Sequence, residues 1–351
     1  MPIEKIDVES FLRLSEVFPV LDVRSPGEYF HAHIPNACSV PIFTDEQRKI
    51  IGTAYTQQSR QIAVDHGLNY FSERMKIIPA EVEQISSQNN LNNNSDKTFL
   101  VHCWRGGMRS DAVAWLLNLY GYKIFLLRGG YKSFRRWVLA QFEKQYELNI
   151  LGGFTGSGKT EVLKELAANG EKVIDLEAIA RHKGSAFGSL GEAPQPGAEM
   201  FENLLAVQLW NISMKEDKTS PIWLEDESAH IGTVGIPKPF WRQMRQSKLY
   251  FLDIPFEKRL QHIVNTYGVF DRQSLMECVL KIQKRLGGLE TKNAVQFIEE
   301  GNLLAAFSIL LKYYDKMYGQ SLLKRDNVES LIQKIDCGDV TEKNALLLPE
   351  H

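Results

Sequence analysis

The chain has 351 residues, with 41 basic and 43 acidic side chains and a formal net charge of −2; 44% of it is hydrophobic and 24% charged. That length allows two ordinary domains with a core each, and the near-neutral balance argues against indiscriminate nucleic-acid binding while leaving room for a local basic face. No uninterrupted apolar stretch is long enough to span a bilayer, and MPIEKIDVES lacks the basic-then-apolar character of a secretory signal, so the expected setting is the cytoplasm.

In chain order, the first part alternates short β-rich runs with helical patterns. Val20–Arg24 (VLDVR), Cys38–Ile42 (CSVPI), Thr98–Cys103 (TFLVHC) and Lys123–Leu127 (KIFLL) read as strands. Val113, Leu116, Leu117 and Tyr120 fall on one face of a helix that Gly121 is placed to end. The polar run Ser86–Lys97 (SSQNNLNNNSDK) cannot build a core and reads as a surface loop. A helical pattern over Tyr131–Gln145 precedes a new strand at Asn149–Gly152, which puts a domain boundary there: residues 1–140 and 146–351. The second part alternates again, with strands near Lys172–Leu176, Ile222–Asp226 and Lys248–Ile254. From about Phe256 to Leu323 it reads as helical, with Leu304, Phe307, Leu311 and Tyr314 on one apolar packing stripe. Strand–helix alternation in both halves predicts an α/β protein with mostly parallel sheets.

Two loops carry chemistry. Gly153–Thr160 reads GFTGSGKT, a full match to the phosphate-binding loop, placed between a strand and a helix as that motif requires. Gly153, Gly156 and Gly158 let backbone amides turn toward phosphate oxygens, Lys159 adds charge, and Thr160 can hold a magnesium ion should one accompany the phosphates. At the end of the strand PIWLEDES stand Glu225, Asp226 and Glu227. Asp226 or Glu225 is the expected acidic partner of the loop, and Asp226 is assigned to the phosphate site. The loop can serve nucleotide hydrolysis or grip the diphosphate of another substrate.

The second loop is VHCWRGGMRS, Val101–Ser110. Its thiol, Cys103, ends a strand just before a helix, with Arg105 and Arg109 close in sequence. Backbone amides, a helix start and guanidiniums all favour the thiolate, which is the nucleophilic form. His102 precedes the nucleophile and can tune it. The other cysteines, Cys38, Cys278 and Cys337, lack this setting, and no cysteine sits at zinc-ligand spacing, so no structural metal is expected. Basic groups cluster at Arg128, Lys132, Arg135 and Arg136, and again at Arg181, His182 and Lys183, where a solvated face and an anion contact are both open readings.

VLDVRSPGEYFHAHIPNACSVP resembles the opening of rhodanese domains, with Asp22, Arg24, Glu28, His33, Ile34 and Pro35 on the pattern and Ala32 where glycine is common. HCWRGGMR departs from the usual rhodanese loop, because its arginine comes one residue later; the H-C-x5-R spacing is that of cysteine phosphatases. Order and linking segments together are similar to the bacterial tRNA 2-selenouridine synthase family, in which a rhodanese-like sheet precedes a P-loop domain and a helical C-terminal region. The matching segments are GTAYTQQ (Gly52–Gln58), CWRGGMRS (Cys103–Ser110), GGYKSFR (Gly129–Arg135), GGFTGSGKT (Gly152–Thr160), DLEAIARHKGSAFG (Asp175–Gly188), ENLLA (Glu202–Ala206), LEDESAHIG (Leu224–Gly232) and YYDKMY (Tyr313–Tyr318).

That resemblance implies replacement of the 2-thio sulfur of the wobble uridine in tRNA by selenium from selenophosphate, through a geranylated intermediate made from geranyl diphosphate. It implies Cys103 as the selenium carrier or as a group that otherwise assists selenophosphate attack, Arg105 and Arg109 as anion holders, the P-loop as diphosphate cradle, and the anticodon region of tRNA as partner. Arg181, His182 and Lys183 are candidates for diphosphate or tRNA contact, and Tyr131, Arg135 and Trp137 for stacking or packing. Two other readings stay open at this stage: a cysteine phosphatase with an accessory nucleotide-binding domain, and a nucleotide-gated sulfur-carrier module.

Overall fold

The computed structural model describes residues 3–88, 97–214 and 220–349. The chain divides into two units, Met1–Gln141 and Phe142–His351. The first holds strands β1 (Ile3–Ile6), β2 (Val20–Asp22), β3 (Cys38–Ser39), β4 (Thr98–His102) and β5 (Lys123–Leu127) in the order β1-β5-β4-β2-β3, every pair parallel. A parallel sheet is covered on both faces, which explains why TFLVH is buried at all five positions and KIFLL at four of five. Leu21, Val23, Phe99, Val101, Ile124 and Leu126 pack with Val113 and Leu117 of the helix Met108–Leu119.

Strand β1 has no counterpart in the sequence reading. IEKI sits on the sheet edge with three exposed residues, so half of its signal is polar. Three helices, Asp45–Gln57, Arg60–Arg74 and Ile78–Gln88, fill the long interval between β3 and β4. The expected loop Ser86–Lys97 is therefore helical over Ser86–Gln88, and its residues 89–96 lie outside the described residues.

The second unit holds β6 (Leu148–Gly153), β7 (Lys172–Ile174), β8 (Ile222–Glu225), the hairpin β9 (His230–Ile231) with β10 (Val234–Gly235), β11 (Lys248–Asp253) and β12 (Ile332–Asp336). Its five-stranded sheet runs β12-β11-β6-β8-β7, all parallel, with β6 in the middle. β12, unanticipated for the same reason as β1, reads IQKID at the sheet edge with mixed burial. Between β11 and β12 come the helices Phe256–Tyr267, Arg272–Lys281, Gln283–Leu286, Gly288–Glu300 and Leu303–Leu323. Phe307, Leu310 and Leu311 are buried in their shared core, but Leu304, expected on that stripe, is 51% exposed because it lies in the first turn, away from the packed face. The architecture is α/β, with a parallel sheet in each unit and a helical C-terminal region. Among the described residues no helix is long and apolar enough to cross a membrane.

Candidate functional site

Cys103 follows β4, at the C-terminal edge of the first sheet, where parallel α/β folds place their ligands. Its Sγ lies 3.3 Å from Ser110 Oγ and 3.9 Å from the Gly107 carbonyl. The helix Met108–Leu119 starts in the same loop, and its first amides have no intrahelical acceptor. The loop is held from below by the segment that follows β5: the Tyr131 and Lys132 amides donate to the carbonyls of Cys103 and Trp104 at 2.8 and 2.9 Å. This approach needs glycine. Gly106 has φ +62° and a side chain there would meet the Leu127 carbonyl at 2.7 Å; Gly130, at φ +60°, lies against the Cys103 carbonyl.

The arginines have different placements. Arg109 donates to Glu28 at 2.8 Å, and Arg48 lies 3.1 Å from the same carboxylate; Arg105 is exposed beside the thiol loop. Burial works to raise the Glu28 carboxyl, but the Arg109 hydrogen bond and charge prevail and hold it below the ordinary glutamate range. Glu28 also accepts from the Ser25 amide, so Arg109 is tied through it to the PGEYFH helix. His102 sits one residue before the nucleophile, on the opposite side of the strand. Burial pulls its pKa down to about 4 against the field of Asp22, 3.7 Å away, and it is neutral at neutral pH. Below it, Arg24 binds Asp22 at 2.6 Å, donates to the Ala32 carbonyl and stacks 3.8 Å over Tyr131. The Asp-x-Arg pair is thus a buried brace behind the loop.

In the second unit GFTGSGKT turns between β6 and the helix Lys159–Ala168. Gly156 and Gly158 have φ +81° and +70°, and a side chain at Gly156 would strike Ile263 at 2.7 Å. The loop is braced twice. Arg259 donates to the Thr155 carbonyl at 3.1 Å and forks onto Asp315 at 2.9 and 2.8 Å, while the Gly153 amide donates to the Tyr318 hydroxyl at 3.4 Å.

The strand-end acids separate, which corrects the assignment of Asp226 to the phosphate site. Side chains alternate across a strand, so Glu225 and Glu227 face one way and Asp226 the other. Glu225 accepts from Thr160 Oγ1 at 3.1 Å; Asp226 instead accepts from Tyr318 and Arg325, each at 2.7 Å. Asp226 thereby supports the loop through Tyr318 instead of facing its phosphates.

Glu177, absent from the sequence reading, completes the site. It lies in the helix Leu176–Ala180 after β7, 3.5 Å from Thr160 Oγ1, and its carboxylate lies within 4.8 Å of those of Glu225 and Glu227. Burial, reinforced by the neighbouring carboxylates and opposed by Lys159, pushes Glu177 and Glu227 up to about 8 and Glu225 well above its ordinary value. Three carboxylates with the Thr160 hydroxyl form a hard-oxygen set that suits a magnesium-sized cation, whose charge would replace the shared protons. Of the basic segment, Lys183 pairs with Glu192 at 3.2 Å, Arg181 adopts a left-handed helix cap, and His182 is buried.

Comparison with known proteins gives consistent results. Residues 146–342 match a family model described as the tRNA 2-selenouridine synthase AAA domain, and residues 7–136 match the rhodanese-like domain. The chain is similar to the tRNA 2-selenouridine synthases of Shewanella piezotolerans (31% identical, over 93% of this chain and 94% of that one) and Sulfurovum sp. (32%, over 86% and 87%). That of Nitrosomonas europaea is 35% identical over 71% of this chain and 63% of its own. Among solved structures, the N-terminal domain of a protein described as ATP/GTP binding, from Clostridium difficile 630, aligns at 34% identity with a TM-score of 0.34, covering 39% of this chain and 99% of that one.

Proposed function

This chain belongs to the tRNA 2-selenouridine synthase family, and from that premise we propose that it converts the 2-thio group of a wobble uridine in tRNA to a 2-seleno group in two steps. In the first, the thiocarbonyl sulfur attacks the terminal carbon of geranyl diphosphate. The carbon–oxygen bond breaks and diphosphate leaves into the GFTGSGKT loop. Loop amides and Lys159 stabilise the charge that grows on the leaving oxygen, which is where electrostatic catalysis acts most strongly. A magnesium ion, if bound, would be held by Thr160 with Glu225, Glu177 and Glu227 and would neutralise part of the diphosphate charge.

In the second step selenium derived from selenophosphate takes the place of the alkylated sulfur, and the geranyl thiolate departs. Alkylation turns a poor leaving group into a good one, which is the chemical reason for making the intermediate. In this reading the selenium of selenophosphate forms the new carbon–selenium bond as the carbon–sulfur bond breaks, water then takes the phosphoryl group as phosphate, and Cys103 assists that selenophosphate attack. Ser110 is placed to donate to an anionic sulfur, and Arg105, exposed by the loop, to meet the selenophosphate oxygens.

The single observation that carries the reading is the presence, in one chain, of a strand-end thiol at an amide-rich loop and a phosphate loop backed by buried acids. The test is mass analysis of tRNA nucleosides after incubation with geranyl diphosphate and selenophosphate, separately and together. Geranyl diphosphate alone should give the S-geranyl nucleoside, and both together the selenonucleoside. Cys103→Ser should stop at the first product, and Lys159→Ala should make neither. Rapid hydrolysis of a chromogenic phosphate ester with untouched thiouridine would establish the cysteine-phosphatase alternative instead.

A further inference from the structure

The helical region of the second unit contains a cleft that neither proposed step uses. Its volume is about 780 Å3, and Leu280, Lys284, Gly288, Thr291, Lys292 and Val295 are among the residues that line it. It lies among three helices, Arg272–Lys281, Gln283–Leu286 and Gly288–Glu300. Over residues 281–292 the sequence carries Lys281, Lys284, Arg285 and Lys292 against one carboxylate, Glu290. All four cations are exposed, and among the described residues none is in an ion pair or hydrogen bond. Glu299 is the one carboxylate in the lining.

A chain of net charge −2 that leaves Lys284 and Lys292 unpaired in the lining of a cleft, with the exposed Lys281 and Arg285 beside them in sequence, has a surface suited to a polyanion. Lysines act as point charges that neutralise phosphates without reading bases, which fits backbone positioning. Gly288 lines the cleft, and a side chain there would meet nothing within 4 Å, so a sugar-phosphate strand can approach its main chain closely.

We propose that this cleft, lined by Lys284 and Lys292 and flanked in sequence by Lys281 and Arg285, holds the sugar-phosphate backbone of the substrate tRNA. The proposal rests on the tRNA-modifying reading above and adds the surface that binds the RNA. An acidic protein surface is the competing occupant.

The experiment uses the full chain and thiolated tRNA, with binding followed by fluorescence anisotropy over a salt series. Lys284→Glu with Lys292→Glu is expected to weaken binding by about tenfold or more, and to flatten the dependence of log affinity on log salt by about 1.5. Lys284→Arg with Lys292→Arg, which preserves charge, should stay within about twofold of the parent. Parent-like affinity and salt slope in the double-glutamate variant would overturn the proposal and leave the cleft to an acidic protein. In that case tRNA conversion by the parent chain would still stand, so the two failures are distinguishable; a parent chain that binds no tRNA would overturn both.

Discussion

Thr160 Oγ1 donates to Glu225 Oε1 across 3.1 Å, joining the first turn of the phosphate-loop helix to the last residue of a central strand. Glu225 is 1% exposed, and two more carboxyls stand beside it. So many acids can be buried together only if most are protonated or a cation neutralises them.

The pH dependence follows from that. Glu177 and Glu227 hold protons in the folded chain up to about 8, whereas an unfolded glutamate loses its proton near 4.5. Between those values the folded state binds more protons, so stability is fully present below 4.5 and is lost as pH rises toward 8. In chelator-treated protein the melting temperature should fall by a few degrees from pH 6 to pH 8.5. Glu227→Gln should flatten that slope, and magnesium should stabilise more at pH 8 than at pH 6. A melting temperature that climbs with pH in the absence of cation would contradict the protonated cluster.

At the other site, Ser110 Oγ lies 3.3 Å from Cys103 Sγ and also donates to the Gly107 carbonyl at 3.0 Å. When the sulfur is anionic the hydroxyl can turn its proton toward it. Ser110→Ala removes that donor and leaves the fold intact, since the vacated volume is one oxygen. Alkylation of Cys103 by iodoacetamide should slow by about threefold to tenfold, the size of one ordinary intramolecular hydrogen bond. Mass spectrometry of the labelled peptide over time measures it.

Gly130 gives a stability prediction. It combines φ +60° with direct contact on the Cys103 carbonyl, so Gly130→Ala both strains the backbone and pushes the thiol loop outward. The expected cost is about 2–4 kcal/mol, read as a lower urea midpoint for the first unit. Gly121→Ala, which has φ +84° but open space around it, should cost only the backbone term of about 1 kcal/mol.

Much of this could be read in the sequence, because both loops are local motifs. GFTGSGKT and HCWRGGMRS specify strand, turn and helix within ten residues, and the structure places each between its expected elements. What could not be read depends on distance in sequence. Glu177 reaches Thr160 from 17 residues away, Asp315 reaches Arg259 from 56, and Tyr318 reaches Asp226 from 92. No local pattern encodes those meetings. Asp226 is a different case: the alternation along IWLED already puts Glu225 and Asp226 on opposite faces, and Thr160 settles which face is the site. The edge strands IEKI and IQKID carry no clear alternation, because polar residues fall on both faces of each.

The last prediction concerns Arg259, whose guanidinium is 3% exposed and lies 5.0 Å from the Phe154 ring and 5.6 Å from the Phe256 ring. A cation in such a place is tolerable because Asp315 answers it with two hydrogen bonds. Its two other hydrogen bonds go to the carbonyls of Ile254 and Thr155, and the second fixes the bend of the phosphate loop. Asp315→Ala leaves the buried charge unanswered and should destabilise the second unit by about 3–5 kcal/mol. Asp315→Asn keeps an acceptor but loses the charge and half of the fork, so the unit should fold with a loss nearer 1–2 kcal/mol, about one charged hydrogen bond. The useful measurement is diphosphate binding to Asp315→Asn by calorimetry. If the Arg259 brace sets the loop geometry, affinity should drop by about tenfold, since a displaced amide cannot be replaced by water at a phosphate oxygen. Parent-like affinity in a folded Asp315→Asn would show instead that Tyr318 and the glycines hold the loop unaided.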